Sequence, residues 1–441
     1  MNIRERLLNK IADREIVTGV IGLGYVGLPL AVEMAKAGFR TIGFDVKKEK
    51  VNSVNQGLSY IRDVAGDDLK TLVDKGLLAA TTDYSEIRNT DFIAVCVPTP
   101  LDEMRQPDLS CLEAAVKSIA DHLRKGMIIV IESTSYPGTT EELVKPILES
   151  SGMKCGEDFY LGFSPERLDP GNTIYNIRNI PKVVGAIGND AGELIAAMYE
   201  AVLDNKVFRV SSPAVAEMAK MLENSYRNVN VGLINEFAIF CNKMGVDVWE
   251  VIEAAKTKPF GFAPFYPGPG LGGHCIPVDP VYLNYKAAGH DFRFSVIDAS
   301  MEVNDSMPGY CVDRIEEILS RRFDKSVKGS RILILGIAYK EGSDDCRESP
   351  SLRIIDKLRA KGADTVFYDP CVSRCRYKGK VYEGEDKLTD FLVQNADLVV
   401  VTTPPSYDGL DYEFVRRHAK AVFDIRNATG NLADRSNIET L

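Results

Sequence analysis

The segment "IVTGVIGLGYVGLPLAVEMAKAGFRTIGFD", residues 16–45, decides the fold of this chain. A short apolar run leads into a glycine-rich turn, an apolar helical pattern follows, and a second apolar run ends at an acid. This succession predicts a strand, a tight turn, a helix and a second, parallel strand. Two further apolar runs, "DFIAVCVP" at 91–98 and "MIIVIES" at 127–133, predict more buried strands. The first part of the chain is therefore predicted to be a doubly wound α/β domain.

The turn in this segment has the spacing Gly-x-Gly-x-x-Gly, formed by Gly22, Gly24 and Gly27, and Asp45 ends the second strand. The first glycine makes the turn, the second lets the backbone approach a pyrophosphate, and the third allows close helix–strand packing. An acid at the end of the second strand accepts ribose hydroxyls. The pattern predicts NAD rather than NADP, although the nearby lysines at 47, 48 and 50 soften that preference. The alternative is a tight turn that holds no ligand.

The pattern changes near residues 211–257, which predict one long helix that starts at Ser212–Pro213. Apolar residues lie on much of its circumference, which indicates burial between domains or against a second subunit. After a polar stretch at 321–330, "LILGIAYKEG", "TVFYDP" and "ADLVVVTTPP" repeat the outline of the first part. We therefore predict two Rossmann-like, doubly wound α/β domains joined by a central helical domain. The predicted bounds are 1–208, 209–320 and 321–441.

Composition limits the class of protein. The 441 residues are 45% hydrophobic and 26% charged, with a net charge of −10, which argues against a nucleic-acid partner. The chain starts without an apolar signal core, and its longest apolar runs are too short to span a membrane. Nine cysteines without a CxxC pair do not suggest a disulfide framework, and Cys371 and Cys375 lack the second half of a metal site. We expect a cytoplasmic protein with free thiols, no metal and no membrane partner.

The segment "GPGLGGHCIPVDP", residues 268–280, places Cys275 among glycines and prolines that cannot form a helix interior or a central strand. Either the thiol is incidental to a tight loop, or the loop presents it. Hydride transfer alone needs no thiol, but a thiol is useful where an aldehyde must be held and oxidised again. The neighbouring His274 is interpreted as loop structure, because sequence neighbours usually point apart.

Such a route needs a group that stabilises an oxyanion and a base that activates water. Lys220 and Asn224 lie four residues apart and hence on one face of the predicted long helix. Glu166 lies in "FSPERLDPG" after a predicted strand, Thr134 lies in "ESTSYPGTT" at a strand end, and Asp279 follows the cysteine by four residues. Each also has an ordinary interpretation, as a solvated lysine, a turn acid or a helix cap.

Seven segments in order carry a resemblance that extends over essentially the whole chain: "GLGYVGLPLA", "VCVPTP", "ESTSYPGTT", "SPERL", "EMAKMLENSYRNVNVGLINE", "GPGLGGHCIPVDP" and "GIAYKEGSDDCRESPS". In these segments the sequence resembles the UDP-glucose/GDP-mannose dehydrogenase family. The resemblance implies an NAD-dependent enzyme that oxidises the C6 hydroxyl of a UDP-sugar to a carboxylate, with two NAD per turnover. It also implies a C-terminal domain that binds the UDP moiety and a homodimer formed through the central helix.

The same resemblance implies roles for individual residues. Cys275 is expected to be the nucleophile, with Lys220 and Asn224 stabilising the C6 oxyanion. Glu166 is expected to assist thioester hydrolysis, while Thr134 and Asp279 place and activate water.

Two further sets are implied to contact the ligands. The expected cofactor contacts are Gly22, Gly24, Tyr25, Val26, Gly27, Asp45, Lys50, Thr99, Thr134 and Arg347. The expected substrate contacts are Glu166, Arg167, Leu168, Lys220, Asn224, Phe265, Tyr266, Gly272, Lys340 and Arg426. Cations such as Lys340 and Arg347 at a strand–loop–helix junction suit a diphosphate.

The resemblance also narrows the sugar. UDP-glucose enzymes of the family tend to carry a lysine just before the loop aspartate, where this chain has Val278. The loop instead resembles the branch that oxidises UDP-N-acetylhexosamines, and UDP-N-acetylglucosamine is the expected substrate. UDP-glucose, UDP-N-acetylmannosamine and UDP-N-acetylgalactosamine remain alternatives, and a catalytically silent nucleotide-sugar-binding protein is an alternative of another class. The expected product is a sugar acid for surface polysaccharide.

Overall fold

The computed structural model describes residues 2–61, 63–168, 174–273, 276–404 and 410–441. The chain forms two compact units, Met1–Glu223 with Val281–Phe292, and Asn224–Pro280 with Arg293–Leu441. The predicted three-domain bounds of 1–208, 209–320 and 321–441 remain a prediction.

The first unit contains a sheet whose central strands are short, apolar and buried, as expected for parallel strands covered on both faces. Its two edge strands are partly exposed. The strands are β1 (Val17–Ile21), β2 (Arg40–Phe44), β3 (Leu78–Thr81), β4 (Phe92–Val95), β5 (Ile128–Ile131), β6 (Tyr160–Phe163), β7 (Lys182–Ala186) and β8 (Val207–Val210). Over the described residues their spatial order is β3-β2-β1-β4-β5-β6-β7-β8. The order reverses at β1 and β4, and ligands of such sheets bind at this switch point.

One pair in this sheet departs from the predicted parallel arrangement. The other neighbours pair in parallel, but β7 runs antiparallel to β6, with Phe163 opposite Gly185. The first residue of β7, Lys182, therefore lies at the edge where β5 and β6 end.

Helices cover both faces of the sheet and bury the large apolar cluster that includes Phe39, Phe92 and Tyr199. They are α1 (Ile3–Ala12), α2 (Gly27–Lys36), α3 (Lys48–Asn55), α4 (Gly66–Asp74), α5 (Ser110–Ala120), α6 (Lys145–Glu149) and α7 (Asn189–Val202). A 3-10 turn at Tyr84–Asn89 and a π turn at Thr140–Val144 complete this set.

The predicted long helix begins at Pro213 as expected, but it does not continue to residue 257. Helix α8 (Pro213–Met244) ends before Gly245, whose φ is +69°, and α9 (Val248–Lys256) starts anew. Glycine adopts this left-handed conformation without steric cost and so terminates the helix. Asp247 then caps α9 by accepting a hydrogen bond from the Trp249 amide. The single-helix prediction is wrong because apolar periodicity continues across this break.

The remaining elements are α10 (Asp279–Ala288), α11 (Ser295–Phe323), β9 (Arg331–Leu335), α12 (Pro350–Ala360), β10 (Asp364–Tyr368), β11 (Arg374–Tyr377), β12 (Lys380–Glu383), α13 (Asp390–Asn395), β13 (Leu398–Val401), α14 (Tyr412–His418), β14 (Val422–Asp424) and β15 (Ile438–Thr440). In the described residues a parallel sheet has the order β10-β9-β13-β14-β15, and β11 and β12 form a separate antiparallel pair. The predicted class, two Rossmann-like α/β regions with helices between them, is confirmed. None of the described helices has the length and apolar content needed to cross a membrane.

Candidate active site

The turn after β1 has the geometry that its glycines predicted. Gly22 has a φ of +92°, and a Cβ there would lie 2.5 Å from the Cys96 carbonyl oxygen. A Cβ on Gly27 would lie 1.9 Å from the Gly22 carbonyl oxygen, whereas one on Gly24 would meet no atom within 4 Å. Gly22 and Gly27 are thus needed for the fold, whereas Gly24 leaves open space beside the backbone. With the N-terminus of α2 at this turn, the residues fit a dinucleotide pyrophosphate.

Asp45 follows β2 and is 6% exposed. Its Oδ2 accepts hydrogen bonds from the Leu23 amide at 2.9 Å and from Lys50 Nζ at 3.2 Å, and its Oδ1 accepts one from the Lys47 amide at 2.9 Å. A carboxylate offers about four acceptor positions, so one remains for a ribose hydroxyl. Lys50, predicted to contact the cofactor, thus neutralises this acid.

The other predicted cofactor residues of the first unit lie at the same strand ends. Tyr25 is 40% exposed in the glycine turn, next to Val26, which immediately precedes α2. Thr99 is buried in the segment after β4, and Thr134 is half-buried three residues after β5. Their contacts with the cofactor remain predictions.

Glu166 and Lys220 are in contact within the first unit. Lys220 is 7% exposed on α8, and its Nζ donates a hydrogen bond to the Glu166 carbonyl oxygen. The Glu166 carboxylate folds back on its own loop, where Oε1 accepts from the amides of Arg167 and Leu168 at 2.6 and 2.7 Å. Arg167 in turn pairs with Glu223 at 2.7 Å. The predicted residues of this loop are therefore held against the first turns of α8.

Three buried residues near Glu166 were not predicted from the sequence. Lys182, at the start of β7, lies 2.5 Å from Glu132, and Tyr199 donates a hydrogen bond to the same carboxylate. Glu132 directly follows the apolar strand β5 and stands two residues before Thr134. A charged residue next to an otherwise apolar strand was the available signal, but sequence alone did not reveal which residue it faces.

Asn224 and Asp279 are in contact within the second unit. The Asn224 side-chain amide donates to Asp279 Oδ2 at 2.5 Å, and both residues are buried. Asp279 is the first residue of α10 and comes directly after Val278, which is 8% exposed. Cys275, the predicted nucleophile, and His274 lie outside the described residues.

Buried side-chain amides hold two described residues of the cysteine loop, the segment 268–280, and these contacts were not predicted from the sequence. Asn235 Oδ1 accepts a hydrogen bond from the Gly268 amide at 2.9 Å, and Asn228 Nδ2 donates to the Ile276 carbonyl at 3.4 Å. Asn304 of α11 links the two asparagines, since it bonds the Asn235 amide and the Asn228 carbonyl. Buried amides are costly unless paired, so this network fixes the positions of Gly268 and Ile276.

A cavity of about 180 Å³ in the second unit brings Lys340 and Arg426 together, with Glu341 and Thr403 also on its wall. Arg426 Nη1 lies 3.3 Å from the Pro267 carbonyl oxygen, and a Cβ on Gly268 would lie 2.3 Å from the same nitrogen. The cavity therefore pairs two cations beside the start of the cysteine loop.

Arg347 and Gly272 lie on adjoining segments of this unit. The exposed Arg347 guanidinium pairs with Asp345 at 2.6 Å, and the Arg347 carbonyl accepts a hydrogen bond from the Gly273 amide at 3.0 Å. A Cβ on Gly272 would lie 2.8 Å from Tyr339 Cβ, so this glycine is required by close packing.

Phe265 and Tyr266 pack on the helices before the loop. The Tyr226 ring meets Phe265 edge-on at 5.7 Å, and Tyr266 stacks on Trp249 at 5.9 Å. Tyr266 also donates a hydrogen bond to Glu253 at 2.8 Å. Their predicted contacts with the substrate remain predictions.

The eight described cysteines are free thiols. Burial, with Glu132 nearby, raises the pKa of Cys96, and burial with Glu149 nearby raises the pKa of Cys155 to about 11. The thiolate is the nucleophilic form, so neither competes with Cys275 for that role. Among the described residues, no group of three or more His, Cys, Asp or Glu side chains could hold a metal ion.

Comparison with known protein families matches three consecutive models to the chain. They are the NAD binding domain of the UDP-glucose/GDP-mannose dehydrogenase family at residues 16–203, the central domain of that family at 214–306 and its UDP binding domain at 333–431. The turn with Gly24 and Asp45 falls in the first model, and the cavity residues Lys340 and Arg426 fall in the third.

Individual relatives agree with these models. The chain is 39% identical over 363 residues to a UDP-N-acetyl-D-glucosamine 6-dehydrogenase of Pseudomonas aeruginosa, which covers 82% of this chain and 84% of the relative. It is 34% identical over 415 residues to a UDP-N-acetyl-D-mannosamine dehydrogenase of Pyrococcus horikoshii, and this match covers 92% of this chain and 94% of the relative.

A solved structure of a UDP-D-ManNAc dehydrogenase from Pyrococcus horikoshii superimposes with a TM-score of 0.86 at 31% identity, covering 96% of this chain and 98% of that one. The predicted family, cofactor and type of enzyme are confirmed. Its glycine turn, its cationic cavity and these matches show that the chain belongs to the UDP-glucose/GDP-mannose dehydrogenase family and is an NAD-dependent UDP-sugar dehydrogenase acting on a CH–OH group.

Proposed function

We propose that this enzyme oxidises the C6 hydroxyl of UDP-N-acetylglucosamine to a carboxylate, with Cys275 as the covalent nucleophile. One observation carries the proposal. Helix α8 presents Lys220 and Asn224 one turn apart, and each is hydrogen-bonded to another residue predicted for the chemistry, Glu166 and Asp279 respectively. Five of the six predicted catalytic residues are described, and these two pairs account for four of them.

The reaction comprises two oxidations and a hydrolysis. A base takes the proton of the C6 hydroxyl while its carbon loses a hydride, which gives the aldehyde. The Cys275 thiolate adds to this aldehyde, and the thiohemiacetal loses a second hydride to become a thioester. Water then attacks the thioester carbon, the C–S bond breaks, and the thiolate leaves. One UDP-sugar, two NAD⁺ and one water thus give one UDP-uronate, two NADH and three protons.

NAD⁺ supplies the hydride acceptor in both oxidations. In the proposed site the open space at Gly24 admits the pyrophosphate, and Asp45 orients the ribose. Lys340 and Arg426 are the cations that bind the UDP diphosphate. Arg347 keeps its predicted role as a cofactor contact.

The remaining residues act on the reacting carbon. Lys220 carries three donors, so it can bond the Glu166 carbonyl and still donate to the C6 oxyanion with Asn224. Glu166 takes the proton of the attacking water, which Thr134 and Asp279 orient.

The similarity to the Pseudomonas aeruginosa enzyme and the valine at position 278 support UDP-N-acetylglucosamine. Val278 is buried next to Asp279, so a lysine in its place would require a different environment. The similarity to the Pyrococcus horikoshii enzyme makes UDP-N-acetylmannosamine the second candidate. UDP-N-acetylgalactosamine and UDP-glucose are the other substrates to test.

The test is to measure NADH per UDP-sugar with these four substrates, using the wild type, Cys275→Ala and the exposed-thiol control Cys111→Ala. We expect two NADH per UDP-N-acetylglucosamine for the wild type and for Cys111→Ala, and loss of the second oxidation in Cys275→Ala. Turnover of UDP-glucose alone would contradict the assigned sugar. Two NADH at an undiminished rate from Cys275→Ala would contradict the thioester route. No NADH with any sugar would indicate a nucleotide-sugar-binding protein.

We propose that the enzyme forms a homodimer through α8. Eight apolar side chains along this helix are each at least 44% exposed, at spacings of three, four and seven residues that form one stripe: Val215, Met218, Leu222, Tyr226, Leu233, Phe237, Phe240 and Met244. A second copy offers the same stripe, so a two-fold contact would cover both.

Sedimentation of the wild type, Leu222→Glu, Phe240→Glu and the control Phe391→Glu tests the dimer. Phe391 is 74% exposed and lies on a different helix, α13. We expect a dimer for the wild type and the control and a monomer for the two stripe variants. A monomeric wild type would contradict the proposal.

The predicted cytoplasmic location and the role of the product in surface polysaccharide are also proposals. A thiol nucleophile and the NAD and UDP-sugar pools favour the cytoplasm, where thiols stay reduced.

A further inference from the structure

A chain of buried charges lies under Glu166. Lys182 Nζ is 2.5 Å from Glu132 Oε2 and 3.4 Å from Glu166 Oε2. The three side chains are only 6%, 0% and 13% exposed, respectively. Tyr199 donates a hydrogen bond to the second oxygen of Glu132. One cation thus bridges two carboxylates at the edge of the sheet where the proposed chemistry takes place.

Stability alone is a weak reason for such an arrangement. Removing charges from water costs several kcal/mol per ion, and apolar side chains of similar volume often replace buried ion pairs without loss of stability. Burial opposes the charged form of Lys182, but Glu132 and Glu166 outweigh it and raise its pKa. Lys182 therefore remains a cation, fixed in place by Glu132.

The reversal of β7 brings this cation to Glu166. Because β7 runs antiparallel to β6, its first residue lies beside the loop that follows β6. The amides of Arg167 and Leu168 hold Oε1 of Glu166, so Oε2 is the oxygen that faces Lys182. Both carboxylate oxygens are thereby given fixed positions, and the side chain has one orientation.

We propose that Lys182 and Glu132 are positioning residues for hydrolysis of the thioester, a proposal that rests on the proposed function. In this step the water oxygen bonds to the thioester carbon, its proton passes to Glu166, and the carbon–sulfur bond breaks to release the thiolate. Lys182 holds the Glu166 carboxylate toward that water, and Glu132 holds Lys182. The two oxidations do not use Glu166, so they do not depend on this chain of charges.

The decisive variants are Lys182→Met and the charge exchange Glu132→Lys with Lys182→Glu. The exchange retains a buried ion pair but sets a carboxylate against Glu166. Lys182→Arg keeps the cation, and Lys36→Met, which removes a lysine paired with Glu33 and Asp68, is the matched control. Rapid mixing with NAD⁺ and the UDP-sugar that the wild type oxidises gives the hydride-transfer rates, and intact mass gives the acyl-enzyme.

We expect Lys182→Met to slow hydrolysis about 30-fold and to accumulate acyl-enzyme, while hydride transfer and KM stay within about threefold. The charge exchange should still accumulate acyl-enzyme, and Lys182→Arg and Lys36→Met should behave as the wild type. Hydrolysis at the wild-type rate in the charge exchange would overturn the inference, even if Lys182→Met fails to fold. A uniform slowing of all steps in the folded Lys182→Met variant would also overturn it.

The proposed function is tested first and separately. If the wild type makes no NADH, or Cys275→Ala makes two, the proposed function fails whatever Lys182 does. If the wild type makes two NADH through an acyl-enzyme and Lys182→Met hydrolyses it normally, only the present inference fails.

Discussion

The turn after β1 and the turn after β9 start alike in the two α/β halves and then diverge. Gly22 and Gly336 have φ values of +92° and +85°, and a Cβ on either would strike a backbone carbonyl oxygen. Asp45 accepts from the Leu23 amide, and Asp369 accepts from the Ile337 amide. Both halves therefore share a structural frame. It consists of a glycine after the first strand, the backbone amide that follows it and an acid at the end of the neighbouring strand.

The difference lies in the positions after the first glycine. Gly24 has open space beside it, and α2 begins three residues later at Gly27. The equivalent Ala338 is buried, and α12 begins only at Pro350, after a loop that carries Lys340 and Arg347. The first half can hold a nucleotide with its backbone and a helix N-terminus, whereas the second half presents cations on a longer loop. The frame sets the fold, and the length and glycine content of the turn select the ligand chemistry.

The opposite ends of the strands share a second frame position. Asp91 precedes β4 and accepts hydrogen bonds from the Val17 amide, Lys10 and Arg124. Asp397 precedes β13 and accepts from the Arg331 amide, Lys325 and Lys420. In both halves one acid ties the start of the first strand to the start of the next strand in the sheet.

Alanine at the frame glycines tests the shared part. Gly336→Ala and Gly22→Ala should each lower the free energy of unfolding by about 3 kcal/mol, because both place a side chain at positive φ against a carbonyl oxygen. Thermal and urea unfolding measure this loss. Gly66→Ala is the control, since no atom lies within 4 Å of its Cβ position. Wild-type stability in either variant would mean that the frame is not shared.

Gly24 tests the divergent part. Gly24→Val should weaken NAD binding by about 100-fold, because the side chain fills the space that the pyrophosphate needs, and should leave the unfolding transition unchanged. Isothermal titration with NAD⁺ measures the affinity. Ala338→Gly is the reciprocal variant, and it should not create an NAD site in the second half. NAD binding at wild-type affinity by Gly24→Val would place the cofactor elsewhere.

Lys340 tests the role of side-chain cations in the second half. Lys340→Ala should weaken UDP binding about tenfold at low ionic strength and less at high ionic strength, and NAD affinity should not change. Titration with UDP under both conditions measures this effect. Lys328→Ala, an exposed lysine of the same half, is the control. An equal loss in both variants would indicate general electrostatic attraction rather than a site.

The pH dependence of the free energy of unfolding tests the second frame position, which Asp397 occupies in the second half. Although burial opposes its charged form, hydrogen bonds from Lys325, the Arg331 amide and Lys420 lower its pKa to about 2 from 3.8. A depressed folded-state pKa adds stability that is present above about pH 4 and is lost as the pH falls toward 2. Asp397→Asn should therefore lower the free energy of unfolding by about 1 kcal/mol at neutral pH.

The difference between Asp397→Asn and the wild type should shrink in acid unfolding measurements as the pH approaches 2. A difference that stays constant from neutral pH to pH 2 would show that the ionised carboxylate is not the source of this stability. Asp364→Asn, which changes an exposed acid of the same half, is the control.

Features that depend on a short stretch of sequence could be predicted from the sequence alone. Strands β1, β4 and β5, the glycine turn and the start of α8 at Pro213 follow from apolar runs and from the chemistry of glycine and proline. The break at Gly245 was missed because apolar residues continue on both sides of it. The reversal of β7 was missed because a buried strand has the same composition in either direction.

In the candidate site, too, only residues close in sequence could be placed relative to one another. Lys220 and Asn224 could be placed on one helix face by their spacing. Lys182 could not be assigned to Glu132 and Glu166, because these contacts join residues 50 and 16 positions apart. The pairing of Asn235 with Gly268 and of Asn228 with Ile276 likewise depends on tertiary packing.

The free thiols have a consequence for covalent labelling. Cys111 is exposed on α5, while Cys96 and Cys155 are held as thiols by raised pKa values. An electrophilic warhead designed against Cys275 would therefore also alkylate Cys111, and adduct counting on the native chain would overstate occupancy. A Cys111→Ser background removes this off-target adduct.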